Sequence, residues 1–264
     1  MSKFGIIFTC YNMQEFVDQS LSDLIKARQS KLDNNEFYIV AVSLPFKDFP
    51  ITNCDNTIQI LQTLKNNNLI DELITEPKFI KETEARTLAL QKIINNGCEY
   101  SMMIDCDEFI NLNQISNILK FIQFNNFITW FKLSYRNFVF DTNTYLVEPF
   151  TPPRIHKLKF DNYIADSFYE DNNIIYRDLS DDKVVYIDKC FSNMLIPSNI
   201  ALISHLAWLN NSREKSKVAY QEKRWGTSSY KWDEKNNKLI FNNQYFEKLG
   251  KPLPQTAQLS TTLG

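Results

Sequence analysis

The chain reads MMIDCDEF over residues 102–109, where an apolar strand runs directly into three acids in four positions. Alternate residues of a strand point to the same side, so Asp105 and Asp107 present two carboxylates together at the strand's end. Two such carboxylates can bind a hard divalent cation that also binds a diphosphate. The alternative interpretation of the acids is a solvated turn.

The sequence before this stretch alternates between strand and helix patterns. The predicted strands are 4–9, 37–42, 69–74 and 100–104, and the predicted helices are 15–28, 56–65 and 83–96. Gly97 follows the third helix where a left-handed C-cap is favoured. The order predicts an α/β fold with a mostly parallel central sheet flanked by helices, in which ligands bind at the carboxyl ends of the strands.

The sequence after residue 110 is less regular. Strands are predicted at 127–133 and 138–140, the acidic stretch 161–182 has no assigned element, and 212–224 is predicted to form a basic helix. Residues 251–264 are polar, contain two prolines and are expected to form a loose tail.

Composition limits the partners of the protein. Its 31 acidic and 29 basic residues give a net charge of −2, which argues against a nucleic-acid-binding surface. With only five glycines, the chain contains neither glycine-rich phosphate motif, so any nucleotide must be held by side chains, a metal or helix ends. The two histidines are too few for a zinc site built from several histidines.

Cysteine spacing and hydropathy bear on location. The five cysteines show no C-x-x-C spacing and follow no recognisable signal peptide, so we expect reduced thiols in the cytoplasm. No apolar stretch reaches the roughly 20 residues of a spanning helix, which limits the expected membrane contact to a peripheral one at the inner face.

Two separate segments match the same sequence pattern, and together they identify a protein family more specifically than either segment does alone. One has Ala85-Arg86 at a helix start, the Gly97–Tyr100 turn, an apolar strand and the Asp105-x-Asp107 pair; the other is the opening Phe8–Glu15, with Tyr-Asn followed by an acid. In this order and spacing, about residues 3 to 110 resemble the family 2 glycosyltransferases, whose Rossmann-like fold is known as GT-A.

The resemblance implies roles for these residues. Thr9 and Tyr11, with Asn12 in the same loop, would hold the nucleotide, and Arg86 would lie near it or support the acidic loop. Asp105 would lie by the ribose and the metal, and Asp107 would be the main ligand of Mn²⁺ or Mg²⁺. The family's Asn after Ala-Arg is Thr87 here, and its acid-rich turn after the second strand is only loosely matched by 43–55. The resemblance therefore does not identify the base of the nucleotide.

Residues nearer the carboxyl terminus complete the implied site. His205 would be a third metal ligand, as in many similar proteins, although a lone histidine is more often packed or at the surface. Lys215 and Arg224 would neutralise the diphosphate, with a solvated basic helix as the alternative. The sequence QEKRW at 221–225 also matches the Q-x-x-R-W pattern of membrane-bound cellulose and chitin synthases, either by chance or because Trp225 faces the acceptor.

An inverting transferase needs a general base for the acceptor hydroxyl, and a carboxylate is the usual choice. The candidates are Asp166, which follows an R-I-x-K segment at 154–157, and Glu170, with Asp171 beside it. For each of them the alternative is an exposed acidic loop. His156 is expected to be structural or on the acceptor side.

These observations predict a metal-dependent glycosyltransferase that uses a nucleotide-sugar donor, expected to be a UDP-sugar, and a glycan or glycolipid acceptor. Residues 1–110 would bind the donor, and 111–250 would bind the acceptor and complete the metal site within the same domain. One alternative is a haloacid-dehalogenase-like phosphatase with Asp105 as nucleophile, although Phe109 stands where that pattern has Thr or Val. The other is a non-catalytic nucleotide- or sugar-binding module.

Overall fold

The computed structural model describes residues 2–43, 55–75, 81–148, 150–169, 173–187, 191–209 and 212–259. They form two compact units. The first contains the described residues of 1–47, 53–134 and 151–203, and the second contains those of 135–150 and 204–264.

The described chain contains the following helices and strands. The helices are α1 Gln14–Ser30, α2 Thr57–Asn66, α3 Glu82–Asn95, α4 Leu112–Phe124, α5 Ser212–Trp225 and α6 Asn243–Lys248, with a 3-10 turn at Leu32–Asn34. The first strands are β1 Lys3–Thr9, β2 Glu36–Val42, β3 Glu72–Ile74, β4 Tyr100–Asp105, β5 Glu108–Phe109, β6 Trp130–Phe140, β7 Thr144–Leu146, β8 Pro153–Lys157 and β9 Lys159–Phe160. The remaining strands are β10 Tyr163–Tyr169, β11 Asn173–Asp178, β12 Val184–Tyr186, β13 Asn193–Ile196, β14 Leu202–Leu209, β15 Tyr230–Asp233, β16 Lys238–Phe241 and β17 Thr256–Gln258.

The first unit is built on a central sheet in the order β3-β2-β1-β4-β8-β6. Strands β3, β2, β1 and β4 are mutually parallel, β8 is antiparallel to both of its neighbours, and β13 is parallel to the start of β6. Helices flank this sheet: α3 packs on β1 and β2, and α1 packs on β2 and on α4. The predicted α/β fold with a mostly parallel central sheet is therefore confirmed.

Local sequence explains the β1 to β4 half. Strand β1 is apolar and buried along nearly all its length, as a central parallel strand must be. Gly5 lets α3 approach closely, since a Cβ there would lie 2.2 Å from Cγ2 of Ile93. Gly97 has φ +70° after α3, which confirms the predicted left-handed cap. The predicted strands and helices of this half are confirmed, with ends shifted by up to three residues.

Several elements of the first unit went unassigned from the sequence, among them helix α4 and the strand pair β10–β11. Helix α4 buries Ile115, Ile118, Leu119 and Ile122, which recur at helical spacing behind an Asn111/Gln114 capping box. The acidic stretch 161–182 contains the antiparallel pair β10–β11, which belongs to a four-stranded sheet in the order β12-β11-β10-β9. Phe168, Ile174 and Tyr176 of this pair are buried against the apolar face of α3. The acids between them obscured the alternation of buried and exposed residues in the sequence.

The second unit has a small aromatic core. Val139, Trp208, Val218, Tyr230 and Leu239 are buried together, and Trp208 stacks on Tyr230 with ring centroids 4.3 Å apart. β15 and β16 form an antiparallel hairpin. The segment 251–264, expected to be a loose tail, differs in part: Thr256–Gln258 form β17 because β7 offers them an edge for antiparallel pairing.

None of the helices in the described ranges combines the length and the apolar character that crossing a membrane requires.

Candidate active site

The site is built at the carboxyl ends of two neighbouring parallel strands of the first unit. β1 ends at Thr9, β4 ends at Asp105, and these two residues are register partners. The ladder continues for one more bond, from the backbone N–H of Cys106 to the carbonyl of Thr9 at 2.9 Å. Carboxyl ends of parallel strands are where ligands bind in open α/β sheets.

Asp105 is held by three side chains. The Thr9 hydroxyl and an Arg86 amino group at 2.9 Å donate to Oδ1. The same Arg86 group at 3.1 Å and an Arg154 amino group at 3.0 Å donate to Oδ2. Both oxygens of the carboxylate therefore accept hydrogen bonds from the protein.

Arg86 is the buried cation of this arrangement. It lies in the first turns of α3 with 2% of its surface exposed, and it also forms an ion pair with Glu82 at 2.6 Å, one helical turn earlier. Burial lowers the pKa of Arg86, but the charges of Asp105 and Glu82 raise it by more, so its guanidinium stays charged. The predicted proximity of Arg86 to the acidic loop agrees with these contacts.

Arg154 and Glu108 belong to the same cluster, although the sequence assigned no role to either. Arg154 comes from β8, is 3% exposed, and forms ion pairs with Asp105 and with the fully buried Glu108. Glu108 also accepts the backbone N–H of Asp105 at 3.0 Å. A buried arginine needs carboxylate partners. An arginine within an apolar strand pattern was therefore the sequence signal from which the role of Arg154 could have been predicted.

The cluster carries net negative charge. Glu82, Asp105 and Glu108 form ion pairs with the two arginines, and the charge of Asp107 is close enough to act on Asp105, so the six side chains carry a formal charge of −2. Asp107 is 5% exposed, and its charge acts on Asp105. Burial raises the pKa of Asp105, but Arg86 and Arg154 outweigh it and hold that pKa well below its usual range. Asp105 is therefore an anion at neutral pH.

The loop after β1 contains the other two predicted nucleotide residues. Tyr11 is 8% exposed. Asn12 has φ +52°, in the left-handed region that asparagine tolerates better than most residues. In the described part of the chain, neither its amide nitrogen nor its amide oxygen has a hydrogen-bond partner, although both atoms are inaccessible to solvent. Buried side-chain amides are normally hydrogen-bonded, so this amide is unusual within the loop.

The candidate bases lie on β10 and beyond it. Asp166 sits at a β-bulge, its backbone carbonyl accepts a hydrogen bond from Gln91 of α3 at 2.5 Å, and its carboxylate pairs with Arg177 at 2.9 Å. These contacts place Asp166 against α3 and β11, and none of them joins it to Asp105. Glu170 and Asp171 lie outside the described residues.

The remaining predicted residues belong to the second unit. Nδ1 of His205 lies 2.7 Å from Oδ1 of Asn137, and the ring packs between Phe150 and Tyr135. Lys215 pairs with Glu234 at 2.8 Å on an exposed surface. The side chain of Arg224 is outside the described residues. Across the described ranges, no three His, Cys, Asp or Glu side chains converge closely enough to hold a metal by themselves.

His156 lies on the same strand as Arg154. It is completely buried, it stacks on Trp130 with ring centroids 6.5 Å apart, and neither ring nitrogen has a hydrogen-bond partner among the described residues. Burial, with the charge of Arg154 adding to it, lowers the pKa of His156 to about 3. The predicted structural role of His156 fits these contacts, because a neutral buried ring serves packing.

His156 makes stability depend on pH. Below about pH 6.5 the unfolded chain protonates this histidine while the folded chain does so only near pH 3, so stability falls as the pH falls through this window. We expect wild type to lose about 2 kcal/mol more than His156→Phe between pH 7 and pH 5. Urea unfolding at both pH values measures this difference. Equal losses in the two proteins would contradict the assignment.

The comparisons with known proteins give distant matches. No family model and no curated protein matches the sequence. Among solved structures, GalNAc-T7 with UDP, GalNAc and Mn²⁺ is similar over 89% of this chain and 49% of its own, with TM-score 0.48 and 11% identity. S. aureus TarS 1-349 in complex with UDP-GlcNAc is similar over 52% of this chain and 35% of its own, with TM-score 0.39 and 20% identity.

A third solved structure is glucosyl-3-phosphoglycerate synthase from Mycobacterium tuberculosis in complex with Mn²⁺, UDP and phosphoglyceric acid. The similarity covers 51% of this chain and 44% of that one, with TM-score 0.35 and 13% identity. The chain thus spans between about a third and a half of the length of these three proteins. Each likeness is one of backbone arrangement.

Proposed function

We propose that this protein is a metal-dependent glycosyltransferase. It transfers a sugar from a nucleotide-sugar donor, for which a UDP-sugar is the first candidate, to a hydroxyl group of a glycan or glycolipid. The observation that carries the proposal is the Asp105 arrangement. An acid at the carboxyl end of β4 is fixed by Thr9 of β1, Arg86 of α3 and Arg154 of β8, with Asp107 two residues further along. Thr9 comes from one segment of the glycosyltransferase-like sequence pattern, and Arg86 and Asp105 come from the other, so the arrangement contains residues of both segments.

The donor set fits a divalent cation. Mg²⁺ and Mn²⁺ favour carboxylate oxygens, and Mg²⁺ commonly takes one or two of them with waters and substrate phosphates. Since both oxygens of Asp105 already accept hydrogen bonds from protein side chains, we assign the metal first to Asp107 and a positioning role to Asp105. When bound, the cation would stabilise the charge that develops on the departing diphosphate.

The chain's own residues would do the rest of the work. Thr9, Tyr11 and Asn12 would contact the nucleoside. Asp166 or Glu170 would take the proton of the acceptor hydroxyl. His205, Lys215 and Arg224 would complete the metal and diphosphate contacts, with 1–110 as the donor half and 111–250 as the acceptor half.

The phosphatase alternative is weakened by the same arrangement. It requires Asp105 to attack phosphorus, but both of its oxygens accept hydrogen bonds from Thr9 and the two arginines. A nucleophile needs an oxygen lone pair directed at the substrate. The non-catalytic alternative predicts binding of metal and nucleotide without turnover.

Metal removal tests the nucleotide site. We expect UDP to bind at least about tenfold more tightly with Mn²⁺ than with EDTA, because Asp107 would hold a cation that neutralises charge on the diphosphate. Isothermal titration calorimetry of UDP, CDP and ADP measures this effect and identifies the preferred base. An affinity for UDP that is the same with and without metal would contradict the proposal.

A further inference from the structure

Two phenylalanines are exposed three residues apart at the turn that ends α4. Phe124 is 89% exposed and Phe127 is 69% exposed, whereas Ile122 and Ile128 beside them are buried. Most large apolar side chains in the described residues are buried or half-buried, so two rings at one turn stand out. Exposed apolar side chains that cluster in this way mark an interaction surface more often than scattered ones do.

Hydrogen bonds within the turn fix its backbone. The backbone N–H of Asn125 donates to the carbonyls of Phe121 and Ile122 at 3.1 Å, and its side-chain amide donates to Phe121 at 2.8 Å. The N–H of Ile128 then donates to the carbonyl of Asn125 at 3.0 Å. The two rings therefore project from a structured turn.

Lysines flank the turn. Lys120 lies one helical turn before Phe124 with 63% of its side chain exposed, and its nearest carboxylate is Asp33 at 3.8 Å. Nζ of Lys157 donates to the carbonyl of Asn126, between the two phenylalanines, at 3.0 Å. Apolar rings bordered by ammonium groups complement a surface that has anionic headgroups outside and hydrocarbon beneath.

The turn is far from the candidate site. Lys157 pairs with Tyr100 at the start of β4, and Asp105 is at the other end of that strand. Five residue steps along a strand cover about 17 Å. A partner bound at the turn would leave the carboxyl ends of β1 and β4 open to substrates.

We propose that residues 120–127, with Lys157, form a docking surface for an anionic lipid membrane. Phe124 and Phe127 insert at the level of the headgroups, and Lys120 and Lys157 contact anionic headgroups. A second copy of the chain fits this surface less well. Two phenylalanine side chains bury about 150 to 250 Å² each, against about 800 Å² per partner in a stable interface.

Co-sedimentation with vesicles tests the proposal. The full chain should bind vesicles of phosphatidylcholine and phosphatidylglycerol (3:1) at least about tenfold more tightly than vesicles of phosphatidylcholine alone, given about fivefold per lysine. The double variant Phe124→Ser/Phe127→Ser should lose binding at least about tenfold. The double variant Lys120→Gln/Lys157→Gln should lose the preference for the anionic vesicles.

Leu179→Ser is the matched control, because Leu179 is 55% exposed in the same unit and lies on a different turn. It should bind vesicles as wild type does. All variants should keep the wild-type circular dichroism spectrum and bind UDP as wild type does, which separates this surface from the nucleotide site. Equal binding of wild type and the phenylalanine variant would overturn the proposal, and so would a dimer, seen by light scattering, that this variant abolishes.

Discussion

Asp107→Asn should lower kcat/KM for sugar transfer in the presence of Mn²⁺ by about a thousandfold and leave the protein folded. The amide keeps the size of the side chain but removes the negative charge that would bind the cation opposite the diphosphate. Turnover is measured as release of the nucleoside diphosphate, and folding by circular dichroism.

Asp181→Asn is the control for charge alone. Asp181 is an exposed acid paired with Lys183 at 2.5 Å, and its substitution should leave turnover unchanged. If Asp107→Asn retained wild-type turnover and wild-type dependence on Mn²⁺, Asp107 would not be the metal ligand.

Arg154→Met should lower the free energy of unfolding by about 3 to 5 kcal/mol. The loss follows because Arg154 bridges Asp105 to Glu108, and Glu108 has no exposed surface. Without the guanidinium, a buried carboxylate loses its ion pair and must be protonated or hydrated. Urea denaturation at pH 7 measures the change.

Two further variants separate this effect from the loss of packing by the arginine stem. Arg154→Met/Glu108→Gln should recover part of the lost stability, because the buried charge is removed along with its partner. Arg177→Met removes an arginine whose side chain is 44% exposed and should change the free energy of unfolding far less. Equal effects of Arg154→Met and Arg177→Met would show that Arg154 is not a buried bridge.

The sequence predicted those parts of the site that lie within single motifs. Asp105 follows its strand directly, and Thr9 ends another apolar strand. Two such strands that pair in parallel have their carboxyl ends side by side, so this part of the site follows from the strand pattern alone. Arg86 was predicted through its place in the Ala-Arg motif of a resembling family, and the structure puts it against Asp105.

Arg154 was missed because its place depends on tertiary structure. It is 49 residues from Asp105 along the chain and reaches it only because β8 pairs antiparallel with β4. The β10–β11 pair was missed for another reason: its exposed acids obscured the buried positions of Ile174 and Tyr176. Helix α4 shows a plain helical pattern, so it was predictable from the sequence.

The central claim is that this chain transfers a sugar from a nucleotide donor with the help of a metal at Asp107. Wild type is incubated with Mn²⁺, a panel of nucleotide sugars and a panel of glycan acceptors, and free nucleoside diphosphate is measured by chromatography. We predict release of UDP from at least one UDP-sugar, abolished by EDTA and by Asp107→Asn. Release of inorganic phosphate from phosphoesters, with no nucleoside diphosphate from any donor, would contradict the claim.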